Sequence, residues 1–152
     1  MTNYNGVNYE KQYVTKPSEK IDKGEVAGRK RLLFDQYQPA LALQVGDKIL
    51  GLSIPANSLV TDAKVKVNKS LGATGIFDLG HLASDDDAAD ADAFVKSADA
   101  GGQAVLKRAD ETCVGIHKRF TADTQVVLEC TEVMDGTVLD AVITFEVEYV
   151  ND

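Results

Sequence analysis

The sequence predicts an all-β fold: an antiparallel β-sandwich, jelly-roll-like, with one short helix in a connection and an extended N-terminal arm. Several segments alternate apolar and polar residues with a period of two, which is typical of strands buried on one face. Turn-forming residues separate these segments, and strands do not alternate with helices as they do around a parallel sheet. A chain of 152 residues has the length of one domain. We therefore expect an arm over residues 1–28 and a single sandwich over residues 29–152.

The arm shows neither helical nor regular strand periodicity, and an Asn-Gly and a Lys-Pro step interrupt it. Tyr4, Tyr9 and Tyr13 punctuate this polar segment. A tyrosine on an extended segment can anchor it through its ring, either to its own domain or to a partner. Both kinds of anchoring are consistent with the sequence.

Charge is distributed unevenly along the chain. Residues 1–31 carry seven Lys or Arg and four Asp or Glu, a net charge of +3. The net charge of the whole chain is −8, so residues 32–152 carry −11. A basic arm can lie on an acidic neighbour while an acidic body remains in water. Nucleic acid is disfavoured as a partner, because the body would repel phosphate groups. The candidate partner-binding residues are Tyr4, Tyr9, Tyr13, Arg29 and Arg31.

Eight strands are expected in the body. The clearest covers residues 59–68, where apolar side chains at 63, 65 and 67 share one face and lysines at 64 and 66 share the other. An Asp135-Gly136 turn predicts a hairpin between strands at 124–132 and 138–150. The remaining strands are expected at 29–37, 48–54, 74–79, 104–107 and 112–118. An immunoglobulin-like Greek-key sandwich is the alternative topology, and no Cys-Trp-Cys pattern supports it.

The one helix is expected at residues 88–98. Ser84 and Asp85–Asp87 precede it, and their side-chain oxygens are suited to accept hydrogen bonds from the free N–H groups of a first helical turn. Capping accounts for most of this acidic cluster. Calcium binding by the acids from Asp85 to Asp92 is the alternative, but their spacing does not follow an EF-hand loop. We predict no metal site.

The residues that most often carry chemistry show no recognisable arrangement. His81 and His117 belong to no ligand spacing and are interpreted as surface or hydrogen-bonded polar residues. Cys113 and Cys130 are interpreted as small buried apolar side chains, with a disulfide or a zinc site shared with His117 as minor alternatives.

No signature of an enzyme is present either. The chain has no Gly-x-Ser-x-Gly turn and no phosphate-binding glycine loop, so we expect neither a catalytic residue nor a cofactor. No apolar run approaches the roughly 20 residues that span a bilayer, and the first residues do not form a secretory signal. The sequence therefore predicts a protein that forms in the cytoplasm and has no membrane partner.

Five short segments, in their order along the chain, resemble small structural proteins of tailed-bacteriophage heads. They are Asn-Tyr-Asn-Gly-Val-Asn-Tyr at 3–9, the Gly28-Arg29-x-Arg31 step into a strand ending at Asp35-x-Tyr37, Gly51-x-x-Ile54-Pro55, the run from Leu71-Gly72-Ala73-Thr74 to Asp78-Leu79-Gly80, and Asp90-Ala91-Asp92-Ala93-Phe94.

The resemblance implies a decoration, or cement, protein on the outside of the capsid. It implies the major capsid protein as partner, a homotrimer as the assembly, a β-sandwich body and an arm that reaches over neighbouring subunits. Such a protein would be made in the host cytoplasm and would hold adjacent capsid subunits together. The resemblance brings no catalytic residues.

Two other functions are alternatives. The same body would suit a tail, neck or head-fibre component of the virion. A carbohydrate-binding β-sandwich is the alternative from another class, and the absence of Trp disfavours it, because such modules bind sugars on aromatic platforms.

Overall fold

The computed structural model describes residues 2–6, 30–71, 74–101, 105–134 and 140–151. Within these ranges the chain forms ten strands and no helix. The strands are β1 (Asn3–Asn5), β2 (Lys30–Tyr37), β3 (Lys48–Ile54), β4 (Ser58–Val67), β5 (Ile76–His81), β6 (Asp90–Asp99), β7 (Val105–Arg108), β8 (Arg119–Phe120), β9 (Thr124–Glu132) and β10 (Ile143–Asn151). The all-β prediction is confirmed, and the structure is consistent with a sandwich.

The strands form two sheets. Sheet I has the order β1-β3-β9-β5-β6, and sheet II has the order β2-β10-β4-β7, with the short β8 also paired to β4. Every pairing is antiparallel except that of β1 with β3. From β2 to β5 the chain changes sheet at each connection, so strands that are neighbours in a sheet are distant in sequence.

One hydrophobic core lies between the sheets. Strand alternation supplies it: in β10, Ile143, Phe145, Val147 and Tyr149 are buried while the intervening residues are partly exposed. The core residues of β4 show the same alternation, as the sequence predicts. The largest fully buried side chains are Phe77, Phe94, Phe120, Leu43, Ile49, Ile54, Leu71, Leu79, Leu128 and Ile143.

The predicted helix at 88–98 is wrong, because residues 90–99 form strand β6 at the edge of sheet I. Its pairing with β5 is irregular, with register shifts on both sides of the Leu79–Val95 pair. Ser97 has a φ of 53°, a conformation of the kind found in bulges. The shifts bring Ala93, Phe94 and Val95 all into buried positions, which breaks simple alternation and imitates a helical pattern in the sequence.

The predicted hairpin around Asp135-Gly136 is also wrong. Strand β9 lies in sheet I, whereas β10 lies in sheet II between β2 and β4. The connection therefore crosses from one sheet to the other, and its residues 135–139 lie outside the described part of the chain. Alternation fixes which face of a strand is buried, but it does not fix the neighbouring strand.

Two further differences concern strand lengths. The strand predicted at 112–118 is a series of turns. The strand that follows these turns, β8, consists of Arg119 and Phe120 and pairs with β4. The final strand begins at Ile143 rather than at residue 138. The other six predicted strands occur, each within two residues of its expected bounds.

Candidate functional site

The first residues of the chain form an added strand at one side of the sandwich. Strand β1 lies parallel to β3, with Tyr4 opposite Ile49 and Asn5 opposite Leu50. The N–H of Lys48 donates to the carbonyl of Thr2 at 3.0 Å. At the other end, the N–H of Gly6 donates to the carbonyl of Leu50 at 2.7 Å. The beginning of the predicted arm is thus part of sheet I.

A buried carboxylate holds the start of β1. Asp47, only 4% exposed, accepts a hydrogen bond from the N–H of Thr2 at 2.8 Å through Oδ1. Its Oδ2 accepts from the N–H of Gln44 at 2.9 Å, within the turn that leads into β3. Both oxygens of this carboxylate therefore satisfy backbone donors, which is how a buried charge is tolerated.

The same short segment spans the gap between the two sheets. The ring of Tyr4 lies 5.5 Å from the ring of Tyr37, at the end of β2 in sheet II. Burial, and next the neighbouring Tyr4 and Asp47, raise the pKa of Tyr37. A Cβ added to Gly6 would lie 2.5 Å from the carboxyl group of Asp35, so a larger residue there would require that side chain to move. Residues 2–6 therefore contact both sheets.

The predicted partner-binding residues are not assembled into one surface by the described structure. Tyr4 packs against the body itself, beside Tyr37. Arg31 lies near the opposite end of β2, about 20 Å from Tyr37 at the usual rise per residue. It pairs with Tyr149 and donates a hydrogen bond to its side chain. Tyr9, Tyr13 and Arg29 lie outside the described residues.

The outer face of sheet II carries a ladder of ion pairs. Lys30 contacts Glu148 at 2.7 Å, and Lys64 contacts Glu146 at 2.8 Å. The third pair, between Arg108 and Asp62, has a separation of 3.2 Å. Hydrogen bonds from Lys30 and then from Thr61 lower the pKa of Glu148. Opposite charges placed across neighbouring strands stabilise a sheet modestly and give this face a mixed, water-compatible character.

Exposed apolar side chains flank this ladder. Leu32 on β2 is 53% exposed and Leu106 on β7 is 56% exposed, and these strands are the first and last of the sheet II order. Leu41, Val45, Val114 and Val133 are exposed in the loops. The sequence does not reveal that these side chains are exposed, because an exposed leucine cannot be distinguished from a buried one by its residue type.

The acidic loop before β6 contacts the body instead of capping a helix. Asp87 pairs with Lys118 at 2.5 Å, and Asp86 accepts a hydrogen bond from the hydroxyl of Thr121 at 2.6 Å. Ser84 accepts from the N–H of Asp87 at 3.2 Å, so it closes a turn within the loop. Within the described ranges, no group of three or more His, Cys, Asp or Glu side chains is arranged to hold a metal ion.

The histidines and cysteines have structural surroundings. His81 is buried between the rings of Phe94 and Phe120, and its Nδ1 lies 3.0 Å from the carbonyl oxygen of Leu82. Cys113 and Cys130 are buried free thiols, as predicted. Burial, and next the charge of Asp47, raise the pKa of Cys130 to about 11.

An open depression of about 480 Å³ lies beside the turns at 110–117. Thr61, Asp62, Asp110, Cys113 and His117 line it. Asp110 already accepts hydrogen bonds from the N–H and hydroxyl of Thr112, so its carboxylate serves the turn itself. In the described ranges, no helix is long and apolar enough to cross a membrane.

No protein-family model matches the chain, and no curated protein sequence matches it. Solved structures with the same fold do exist. A chain from the capsid of Ralstonia phage GP4 aligns with a TM-score of 0.64 and 16% identity, over 84% of this chain and 88% of that chain. A chain from the capsid asymmetric unit of cyanophage Pam1 aligns with a TM-score of 0.62 and 13% identity, over 92% of this chain and 99% of that one. The protein therefore has the fold of chains found in the capsids of two phages.

Proposed function

We propose that the protein is a structural component of a tailed-phage virion, and most specifically a decoration protein on the outside of the head. The observation that carries the proposal is the likeness of nearly the whole chain to chains from two phage capsids. The order of the five short segments in the sequence supports the same conclusion independently. On this proposal the partner is the major capsid protein and the protein has no enzymatic role.

We infer further that the body is a jelly roll. The strand orders β2-β10-β4-β7 and β3-β9-β5-β6 support this, because eight strands divided between two facing sheets by successive crossings are what a jelly roll contains. Strand β1 is an addition to this set. A jelly roll presents loops at both ends and two broad faces, which suits a protein that lies on a lattice.

The proposed mechanism is the repetition of one modest interface. The chain from Val7 to Arg29 contains Tyr9, Tyr13 and Arg29, and we propose that these residues contact neighbouring capsid subunits. Tyr4 fixes the start of that segment to the body. Many copies, each linking adjacent subunits, would resist expansion of the shell even though each contact is weak. A homotrimer at the three-fold positions of the shell is the assembly that we propose.

The binding test uses bare shells from particles that lack this protein, mixed with the purified chain and sedimented. We expect the native chain to sediment with the shells, and the Tyr9→Ala, Tyr13→Ala, Arg29→Glu triple variant to bind at least several-fold less. Lys66→Glu makes the same charge change as Arg29→Glu at an exposed position of β4 in the body and serves as the control. Arg31 is left unchanged because it contacts Tyr149. Equal binding of the triple variant would refute the proposed contact residues.

The position on the particle is tested by copy number. A decoration protein is expected at a simple ratio to the major shell protein in purified particles, whereas a dozen copies or fewer would assign it to the neck or tail. The cementing role predicts that shells lacking the protein break at a lower temperature than complete shells. If both kinds of shell broke at the same temperature, that role would be wrong even with the location right. Binding to a glycan array would favour the carbohydrate-binding alternative.

A further inference from the structure

The edge of β3 is a docking site for an extended peptide, and in this structure β1 occupies it. The site offers the N–H of Lys48 and the carbonyl of Leu50 to the backbone of residues 2–6. Asp47 receives the N–H of Thr2, and Tyr37 receives the ring of Tyr4. The added strand gains backbone hydrogen bonds and one ring contact, which is the usual form of recognition by strand addition.

The chain between this docked strand and the next one is longer than the gap that it must cover. Gly6 lies against Asp35, and Lys30 is five residues from Asp35 along β2, or roughly 17 Å at the rise of a strand. Residues 7–29 number 23, and a chain of that length can span up to about 75 Å. The connection therefore does not force β1 onto the β3 edge of its own copy.

We propose that, in the assembled protein, β1 of one copy docks on the β3 edge of a neighbouring copy. The contacts are identical within one chain and between two, so the exchange loses no hydrogen bond and no ring contact. Two quantities differ between the arrangements. Docking within one chain carries the entropic cost of closing the loop of residues 7–29, which grows only slowly with loop length. Docking between chains depends instead on the local concentration of neighbouring copies. Copies held side by side on a shell have a high local concentration. This proposal rests on the proposed function in one respect only, because binding to a shell is what supplies the high local concentration.

Exchange would give the three-residue strand β1 a function, namely to link neighbouring copies. Within one chain, the pairing of the three residues of β1 with β3 joins two strands that the same backbone already connects. Between chains, the same three residues with the Asp47 and Tyr37 contacts would tie each copy to the next. Each copy would both donate a strand and accept one, which closes a ring in a symmetric oligomer.

The proposal can be tested by crosslinking a pair of facing positions. Asn5 and Leu50 lie opposite each other on adjacent strands, and the backbone spacing of such a pair permits a disulfide. Single variants Asn5→Cys and Leu50→Cys are expressed together with different tags, assembled and oxidised. Strand exchange predicts a covalent product that contains both tags, from about a quarter of the β1 sites if the two variants mix randomly. Cys113 and Cys130 are buried, and the unmodified protein provides the background.

Two controls make each outcome decisive. Lys66→Cys, at an exposed position of β4 in sheet II, replaces Leu50→Cys in a matched mixture and should give at least several-fold less mixed product, because β1 pairs in sheet I. The double variant Asn5→Cys, Leu50→Cys should crosslink efficiently in either arrangement. Crosslinking of the double variant within single chains only, with no mixed product above the control, would overturn the proposal. Failure of the double variant to crosslink would also contradict it, because β1 would then not occupy the β3 edge.

The outcome separates this inference from the proposed function. Chains that bind shells but give no mixed product would refute strand exchange and leave the decoration role intact. Chains that give the mixed product in solution but do not bind shells would refute the decoration role and leave the exchange intact.

Discussion

The carboxylate of Asp47 accepts a hydrogen bond from the N–H of Thr2, 45 positions earlier in the chain. This contact ties the first described residue to the turn that begins β3, and the second carboxylate oxygen holds the N–H of Gln44 in the same turn. One buried side chain therefore fixes both the turn and the strand that docks beside it.

Replacing Asp47 should release β1. In Asp47→Asn the amide offers one acceptor oxygen and an NH₂ donor, so one of the two backbone N–H groups loses its partner. We expect a loss of about 1–3 kcal/mol in the free energy of unfolding, because an unsatisfied buried donor costs that much. Urea unfolding measures the loss, and hydrogen exchange should show faster exchange at Tyr4 and Gly6. The control is Asp85→Asn in the exposed loop before β6, where little change is expected.

Gly80 should not tolerate a side chain. A Cβ at this position would overlap the backbone of Asp90 and Ala91 in the paired strand β6. Gly80→Ala must therefore separate β5 from β6, at a cost of roughly 1–3 kcal/mol or more. Gly75→Ala is the matched control, since its nearest neighbour would be the Cβ of Leu71 at 3.2 Å. Equal stability of the two variants would show that this approach of the strands is not tight in solution.

The contribution of Glu148 to the free energy of unfolding should depend on pH. Hydrogen bonds from Lys30 and Thr61 lower its pKa in the folded protein, so its stabilising effect is present above the ordinary value of 4.5 and is lost as the pH falls through the lowered value. Glu148→Gln should lower the free energy of unfolding at pH 7 by under about 1 kcal/mol, because the pair is partly exposed. The difference between variant and native protein should disappear in acid. A difference that persists unchanged in acid would exclude this ion pair as its cause.

Asp78 should show the opposite dependence. Burial, and the neighbouring Asp92 and Glu129, raise its pKa despite a hydrogen bond from the N–H of Ser97. Its contribution is therefore most favourable below the ordinary value of 3.8 and declines as the pH rises through the raised value. Asp78→Asn keeps an acceptor for Ser97 and removes the titration. Relative to the native protein, this variant should gain stability from acid to neutral pH. Denaturant titrations at several pH values give the slope, and a negative slope would contradict the prediction.

The thiol of Cys130 should be unreactive in the folded protein. It is buried, its pKa is raised to about 11, and it donates to the carbonyl of Glu132 at 3.0 Å. At pH 8 nearly all of it should remain protonated, and the thiolate is the reactive form. A thiol reagent should label Cys130 only at the rate of unfolding, as peptide mapping would reveal. Rapid labelling without denaturant would mean that this end of β9 opens easily.

Much of the fold could be predicted from alternation alone. Strands β4 and β9 each keep apolar residues at every second position over most of their length, whereas the bounds of β3 follow from the turn residues on either side of it. Strand β6 could not be predicted in this way, since its pairing with β5 shifts register on both sides of Val95 and the adjacent residues Phe94 and Val95 are both buried. The strands that pair with β10 could not be predicted either. An Asp-Gly step indicates a turn but does not specify the sheet to which the next strand belongs.

The candidate site was less predictable than the fold. Tyr4 was recognised as an anchor, but the sequence could not distinguish anchoring to a partner from the contact with Tyr37. The role of Asp47 was not foreseen, because an Asp after Gly46 resembles any turn residue until its neighbours in space are known. Two backbone N–H groups meet at this carboxylate, and one of them, that of Thr2, comes from 45 positions away, so no local pattern records the contact.

The position of β10 has a consequence for biosynthesis. Strand β10 lies in the middle of sheet II, between β2 and β4, so neither of those strands can complete its ladder before β10 is synthesised. A nascent chain emerging from the ribosome would hold sheet II with unpaired strand edges until residues 143–151 are released. Rapid synthesis of many copies would then make premature association between incomplete chains the main hazard on the way to the native state.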